Sequence, residues 1–170
     1  LAPQPLLFKL GSLINDKYNV SVYQCHRRPS KWTWLENDDK IDFEFRKTLS
    51  NNDDEIALVI DLSAKVVDER ITSVLGDDIS IFHISITEPN RNFVTNENIQ
   101  LSFVDCFRKA MEKLKNLKKS KSAIHVFPVM PNSLAIRAGM DYMPKADLPL
   151  VVYEQSKSKN GFFEALTIGG

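Results

Sequence analysis

Three short segments of the sequence carry residue types that could bind a small anionic ligand. In the first, "FPVMPNSLAIRAG" (residues 127–139), an apolar run gives way to Pro131, which opens a segment of helical pattern. A helix start leaves backbone N–H groups without partners, and an anion can accept from them. The N–H groups of Asn132, Ser133 and Leu134, with the polar side chains among them, are therefore candidates to contact a phosphate or a nucleobase edge. Helix capping alone also explains these residues, because Asn, Ser and Pro favour such positions.

The second segment, "QCHRRPSKWTW" (24–34), combines cations with aromatic rings. Arg27 and Arg28 follow a predicted strand, and Trp32 and Trp34 come soon after them. Arginine beside aromatic rings suits the binding of phosphate together with the stacking of a base. The alternative is that the two tryptophans form a hydrophobic plug and that the arginines are solvated.

The third segment, "VIDLSAK" (59–65), ends a predicted buried strand with Asp61, Ser63 and Lys65. Polar residues at such strand ends often contact the ligand in nucleotide-binding α/β sheets. An ordinary turn at a strand end is the alternative, and it is the more frequent explanation of this pattern.

The sequence lacks the motifs of the common enzyme classes. It has no G-x-S-x-G elbow, no P-loop and no glycine-rich dinucleotide fingerprint. His83 and His125 lie inside apolar strands, where an imidazole is usually a satisfied core residue. Cys25 and His26 are neighbours on a predicted strand and so point to opposite faces, and Cys25 and Cys106 have neither metal-ligand nor redox spacing. We therefore expect a non-enzymatic chain without a cofactor or a metal ion.

Composition restricts the partners of the chain. Its 170 residues suggest one domain, and 22 Lys and Arg balance 22 Asp and Glu. Binding to long nucleic acid regardless of sequence normally needs a basic face, so we do not expect it here. No segment resembles a transmembrane helix or a signal peptide, and we expect a cytoplasmic protein that does not engage a membrane. Because no strand precedes the first helix, we expect residues 1–170 to be a fragment, with a strand and an effector region upstream of Leu1.

Hydrophobic periodicity predicts strands alternating with helices. The predicted elements in chain order are a helix at 4–15, strands at 18–25, 41–47 and 55–63, a short helix at 68–76, a strand at 78–86, a long helix at 96–119, a strand at 124–127, a helix after Pro131, and strands at 148–155 and 162–168. This order indicates an α/β fold with a mostly parallel sheet and helices on both faces. A binding crevice is then expected at the carboxyl ends of the parallel strands.

The sequence also contains an internal echo. "APQPLLFKLG" (2–11) and "MPNSLAIRAG" (130–139) align without a gap, so that Pro3 matches Pro131 and the final glycines coincide. Each is followed by a strand-like run, "VSVYQ" or "LVVYE". We interpret them as two related turn–helix–strand units, a hypothesis that helices in unrelated environments would remove. Chance agreement over ten positions is the alternative.

Four of these segments together resemble the SAVED sensor domain (SMODS-associated and fused to various effectors). They are "APQPLLFKLG", "VYQCHRRPSKWTW", "HVFPVMPNSLAIRAG" and "MPKADLPLVVYEQ", and the resemblance extends from Ala2 to about Ile168. It implies a Rossmann-like fold related to the CARF domains of CRISPR systems. It also implies a role in bacterial anti-phage defence, in CBASS or type III CRISPR pathways, where the domain binds a cyclic oligonucleotide second messenger. Such binding switches on a fused or associated effector, for example a nuclease, a protease, a TIR domain or a membrane-disrupting segment.

The resemblance implies that this chain is the sensor part, which binds an adenine-containing cyclic tri- or tetranucleotide and self-associates on binding. On this interpretation Arg27 and Arg28 contact phosphate, Trp32 or Trp34 stacks on a base, Met130 fills a shaped slot before the Pro131 turn, and Gln4, Ser63, Asn132 and Ser133 form hydrogen bonds. Two alternatives stay open. The chain could dock a partner protein, or serve as a subunit of a base-pathway enzyme, without binding the messenger. A fragment could also hold only half of a pocket.

Overall fold

The computed structural model describes residues 2–27, 30–156 and 161–169, without the side chains of Asp16 and Arg27. Four α-helices and eight strands are present in these ranges, together with a short 3₁₀ turn at Asn15–Lys17. In chain order they are α1 (Gln4–Ile14), β1 (His26–Arg27), β2 (Ser30–Lys31), β3 (Glu44–Ser50), β4 (Ile56–Asp61), α2 (Glu69–Leu75), β5 (Ser80–Ser85), α3 (Glu97–Leu117), β6 (Ile124–Val129), α4 (Asn132–Asp141), β7 (Leu150–Ser156) and β8 (Gly161–Ile168).

A six-stranded sheet in the order β3-β5-β4-β6-β7-β8 organises the fold. The four inner strands are parallel, and the edge strands β3 and β8 are antiparallel to their neighbours. The predicted mostly parallel α/β sheet is therefore confirmed. Because the chain moves from β4 to β5 on one side and returns to β6 on the other, the order of strands reverses between β4 and β6. Ligands of open α/β sheets bind at such a reversal, outside the carboxyl ends of the strands.

Both faces of the sheet are covered, as the sequence predicts. Alternate residues of β4 belong to two separate cores. Leu58 and Ile60 pack in the larger core, which includes residues of α1, α3 and α4, whereas Val59 packs in the smaller core with Ile71 of α2. Every residue of β4 and β5 is buried, which confirms that these two strands are covered on both faces.

The long predicted helix is confirmed as α3. The side chain of Asn96 caps it by accepting a hydrogen bond from the N–H of Ile99 at 3.0 Å. Apolar side chains along one side of α3 are buried, with Phe103 and Phe107 fully covered. Helix α3 thus forms one wall of the larger core, against which α1 and α4 pack.

Two predicted strands differ from the structure. Residues 18–25 form no strand, and the side chain of Gln100 holds them by donating to the carbonyl of Val22 at 3.2 Å. An alternating hydrophobic pattern indicates which side chains face inward, but it does not show whether a neighbouring strand is available to form backbone hydrogen bonds. Strand β3 begins at Glu44, three residues after the predicted start, and only Phe45 and Leu49 of its residues are half-buried.

Helices α1 and α4 pack side by side through their glycines. A Cβ atom added to Gly11 would lie 2.0 Å from the carbonyl oxygen of Ile136, and one added to Gly139 would lie 2.0 Å from that of Phe8. These contacts are reciprocal in the alignment of residues 2–11 with 130–139. The two helices therefore lie in matching environments with their N-termini together, although the first unit lacks the predicted strand.

Candidate ligand-binding site

The carboxyl ends of β4 and β6 are joined where the strand order reverses. The backbone N–H groups of Leu62 and Ser63 both donate to the carbonyl of Val129, at 2.9 and 2.8 Å. Ser63, a predicted contact residue, is half-buried there. It therefore lies beside the turn that leads from β6 into α4.

Helix α4 begins in this turn, and a side chain from a distant segment caps it. Met130 and Pro131 are buried, and Ser133 is only 2% exposed. The backbone N–H and the hydroxyl of Ser133 both donate to Oε1 of Gln24, at 3.4 and 2.6 Å. The N–H of Leu134 donates to the carbonyl of Pro131 at 3.0 Å. Direct contact between Ser133 and a ligand therefore requires that Gln24 move away.

Gln24 is a residue that sequence reasoning missed. It lies near the end of segment 18–25, just before the loop that contains Arg27 and the two tryptophans. The only signal in the sequence was its place at the start of the quoted segment "QCHRRPSKWTW". Its amide links the start of α4 to that loop.

The N-terminus of α1 lies beside that of α4. The side chain of Gln4 joins them, because its Nε2 donates to the carbonyl of Met130 at 2.5 Å and to Oδ1 of Asn132 at 3.3 Å. Three predicted contact residues are thus brought together, although Met130 and Asn132 are 126 and 128 positions from Gln4 in the chain. The two helix N-termini form one junction at the carboxyl edge of the sheet.

A carboxylate completes this junction. Glu154, near the carboxyl end of β7, accepts hydrogen bonds from the backbone N–H groups of Gln4 and Gln155. Burial raises the pKa of the Glu154 carboxyl, and the two N–H donors oppose that effect. Glu154 belongs to the segment "MPKADLPLVVYEQ", but the sequence predicts no role for it. The available signal was its position at a strand end that faces the same edge of the sheet as Asn132.

The predicted aromatic residues have different surroundings. Trp32 is 68% exposed, whereas Trp34 packs against the larger core and lies 5.4 Å from the ring of Tyr23. Trp34 therefore fits the plug interpretation, and Trp32 has a face free to stack on a base. Arg28 lies outside the described residues, and for Arg27 only the backbone is described, as part of β1.

The third candidate segment is partly structural. Asp61 is 4% exposed, and its Oδ1 lies 3.2 Å from Nδ1 of His83, whose Nε2 lies 2.9 Å from Oδ1 of Asp68. Burial alone lowers the pKa of His83, but the hydrogen bonds to the two carboxylates outweigh it and raise that pKa above its ordinary value. His83 is therefore the satisfied core imidazole that the sequence predicts. It ties the end of β4 to the start of α2.

A cavity of about 620 Å³ opens beside His83. Its lining has four carboxylates and two permanent cations, Arg46 and Lys65. An excess of negative charge disfavours a phosphate ligand. The junction of α1 and α4 suits an anion better, since two helix N-termini meet there.

The described ranges contain no group of three or more His, Cys, Asp or Glu side chains arranged to hold a metal ion. None of the helices in those ranges is long and apolar enough to cross a membrane.

Comparison with known proteins relates this geometry to a family. The model of the SAVED family, the SMODS-associated and fused to various effectors sensor domain, matches residues 1–168. No curated protein sequence gives a significant match.

Solved structures share the fold. One is the Acinetobacter baumannii Cap4 SAVED/CARF-domain containing receptor with the cyclic trinucleotide 2'3'3'-cAAA, at a TM-score of 0.67 and 12% sequence identity. Another is the same receptor with 3'3'3'-cAAA, at a TM-score of 0.59 and 13% identity. Each match covers 99% of this chain and 37% of the receptor, so the chain spans little more than a third of the length of these relatives.

Proposed function

Because the chain belongs to the SAVED family of sensor domains, we propose that it binds a cyclic oligonucleotide second messenger in bacterial anti-phage defence. The messenger is an adenine-containing cyclic tri- or tetranucleotide. Both structures of the A. baumannii receptor with the same fold contain a cyclic trinucleotide, which supports this choice. The observation that carries the proposal is the junction of the α1 and α4 N-termini, held by Gln4 at the reversal of strand order.

The junction suits the charge of such a ligand. A helix N-terminus carries a partial positive charge and stabilises a nearby anion by about 0.3–1 kcal/mol. At α1 the carboxylate of Glu154 already occupies this position, whereas the amide of Gln24 at α4 is neutral. A phosphate of the messenger therefore binds at α4. A small ring carries few charges, so a chain of zero net charge can hold it with a few local donors.

The residues that surround the junction supply the remaining contacts. Trp32 stacks on an adenine, and the arginines of the same loop contact phosphate. Gln24 leaves Ser133 as the ligand arrives, and this movement couples the site to the loop. The proposed contact residues are Gln4, Arg27, Arg28, Trp32, Ser63, Met130, Pro131, Asn132 and Ser133. Trp34, predicted as the alternative stacking residue, packs against the larger core instead.

Binding activates an effector that is fused to the domain or associated with it. The domain itself performs no catalysis, and residues 1–170 form a single sensor domain. A ligand shifts a conformational or assembly equilibrium only through different affinities for the two states. We infer that the liganded chain favours a dimer or a larger assembly, which brings effectors together. Sedimentation should show a larger species with saturating ligand, and an unchanged monomer would contradict this step.

The binding proposal is tested by thermal-shift and calorimetric titrations with cyclic di-, tri- and tetranucleotides. A ligand at about 100 times its dissociation constant stabilises the folded state by roughly 2.7 kcal/mol. For a domain of this size the melting temperature then rises by about 5–10 °C. Arg28→Ala should weaken binding of the selected ligand, whereas Arg91→Ala, on an exposed loop, should not.

Failure of every ligand in this panel to bind would contradict the proposal. It would favour an interaction module that docks a protein partner. One observation fits that second candidate: Leu6, Leu10 and Leu13 are 57%, 46% and 60% exposed on one side of α1.

A further inference from the structure

The junction of α1, α4 and β7 contains two buried acceptor oxygens without a donor. They are Oε1 of Gln4 and Oε2 of Glu154, and neither has a hydrogen-bond partner among the described residues. Buried polar atoms in native proteins are nearly always hydrogen-bonded, because leaving one unpaired is costly. Two such atoms on side chains that meet at one helix start indicate that a donor is missing from this place.

Neither oxygen can be satisfied simply by turning its side chain. Nε2 of Gln4 faces two acceptors, the carbonyl of Met130 and Oδ1 of Asn132, so exchanging the amide oxygen and nitrogen would place oxygen against oxygen. The carboxylate of Glu154 already accepts from the N–H groups of Gln4 and Gln155. Both side chains are thus fixed with an acceptor left over.

Because both unpaired atoms are acceptor oxygens, the part of the ligand that binds beside them must be a hydrogen-bond donor. A phosphate is repelled by a carboxylate, so the anionic part of a ligand belongs at α4. An exocyclic amine of a nucleobase carries two N–H donors and no acceptor. Burial raises the pKa of Glu154, because desolvation disfavours the charged carboxylate more than its two N–H donors stabilise it.

We propose that Gln4 and Glu154 form a subsite for an amine-bearing nucleobase edge, and that this subsite makes the domain prefer adenine over bases with a carbonyl at the same position. This inference rests on the proposed binding of a cyclic oligonucleotide at the junction. The amine of adenine donates to both leftover oxygens, whereas the O6 of hypoxanthine would face them and be repelled. Both oxygens are covered in the unliganded chain, so the base enters with a displacement of Gln4 or Glu154 that uncovers them.

The test compares two matched rings on three folded proteins. Calorimetry would measure the dissociation constants of 3'3'3'-cAAA and of the same ring with hypoxanthine in place of adenine, on the unchanged chain, on Glu154→Gln and on Glu164→Gln. Glu164 is an exposed carboxylate on the neighbouring strand β8 and serves as the matched control. The ratio of the two constants on one protein does not depend on that protein's stability.

We expect the unchanged chain and Glu164→Gln to bind the adenine ring about 10- to 100-fold more tightly. In Glu154→Gln the new amide can donate to O6, so the preference should shrink at least severalfold or reverse. An undiminished preference in Glu154→Gln, or equal binding of both rings by the unchanged chain, overturns the inference and leaves the proposed function standing. Binding of neither ring by the unchanged chain overturns the inference, and the wider panel then decides the proposed function separately.

Discussion

Helices α1 and α4 begin in the same way but are capped differently. Each follows a proline with nearly identical backbone angles, φ −58° and ψ 142° at Pro3 and φ −57° and ψ 144° at Pro131. The start of α1 meets the carboxylate of Glu154, whereas the start of α4 meets the neutral amide of Gln24. Identical local turns therefore offer different electrostatic environments, because the capping side chains come from elsewhere in the chain.

Because of this difference, we propose different roles in ligand binding for the N-termini of the two helices. The N-terminus of α1 already has a negatively charged partner, the carboxylate of Glu154, and the unpaired oxygens of Gln4 and Glu154 can accept hydrogen bonds from a base. The α4 end is free of a charged partner among the described residues and can accept phosphate. Two similar turns can thus bind the base and the phosphate of one nucleotide. Substitutions that separate the two helices, remove the cap of α4 or remove the charge beside α1 test these two roles.

The largest effect is expected from Gly139→Ala, which separates the helices. The added Cβ would lie 2.0 Å from the carbonyl oxygen of Phe8 and 2.9 Å from the backbone nitrogen of Ser12. Backbone atoms cannot rotate aside, so we expect the free energy of unfolding to fall by about 1–3 kcal/mol. Urea unfolding would measure it.

Gly161→Ala is the matched control, since no described atom lies within 4 Å of a Cβ at that position. Equal stability of the two variants would show that the glycine contact does not hold the N-termini together.

An intermediate effect is expected from Gln24→Ala, which opens the α4 end. The buried hydroxyl and N–H of Ser133 would lose their acceptor, lowering the free energy of unfolding by about 1–2 kcal/mol. Affinity for the cyclic oligonucleotide should nevertheless rise, because the ligand no longer has to displace an amide. Calorimetry on this variant would measure both the expected loss of stability and the expected gain in affinity. Gln155→Ala, at an exposed position, is the control. A loss of affinity would mean that Gln24 itself contacts the ligand.

The smallest effect is expected from Glu154→Gln, which neutralises the α1 end. Burial raises the folded-state pKa of Glu154 above its ordinary value of 4.5. Its contribution to stability is therefore full below about pH 4.5 and is lost as the pH rises through the folded-state pKa. The variant should lack this loss, so that its stability relative to the unchanged chain increases from acid to neutral pH. Urea midpoints measured across that range would run parallel for the two proteins if the account is wrong.

His83 provides an internal reference for such a titration. Its pKa is also raised, but from an ordinary value of 6.5. The stability that its protonation provides is full below about pH 6.5 and is lost as the pH rises through the folded-state pKa. The stabilising contributions of Glu154 and His83 therefore begin to decrease in different pH ranges.

The sheet could be predicted where burial leaves a local pattern. Strands β4 and β5 are continuous apolar runs, and α3 has an uninterrupted apolar stripe, so their patterns are specific. Residues 18–25 alternate just as well, yet their backbone lacks a described strand partner. Pairing depends on distant segments, which periodicity does not report.

The sequence was sufficient to predict the residues at the two helix starts, but not the side chains that cap them. Gln4 and Asn132 correspond in the internal alignment, and their side chains lie in contact at 3.3 Å. Gln24 and Glu154 were not identified, because Gln24 is 109 positions from Ser133 and a glutamate at a strand end has no distinctive spacing. Which side chain reaches a helix start is a tertiary property.

The most direct test of the central claim is an NMR titration of the ¹⁵N-labelled chain with 3'3'3'-cAAA. We predict that the amide signals of Gln4, Ser133 and Leu134 shift most, and that the signal of Lys113, exposed on α3, stays in place. Shifts concentrated on the exposed leucine side of α1, or around His83, would contradict binding at the junction of the two helix starts.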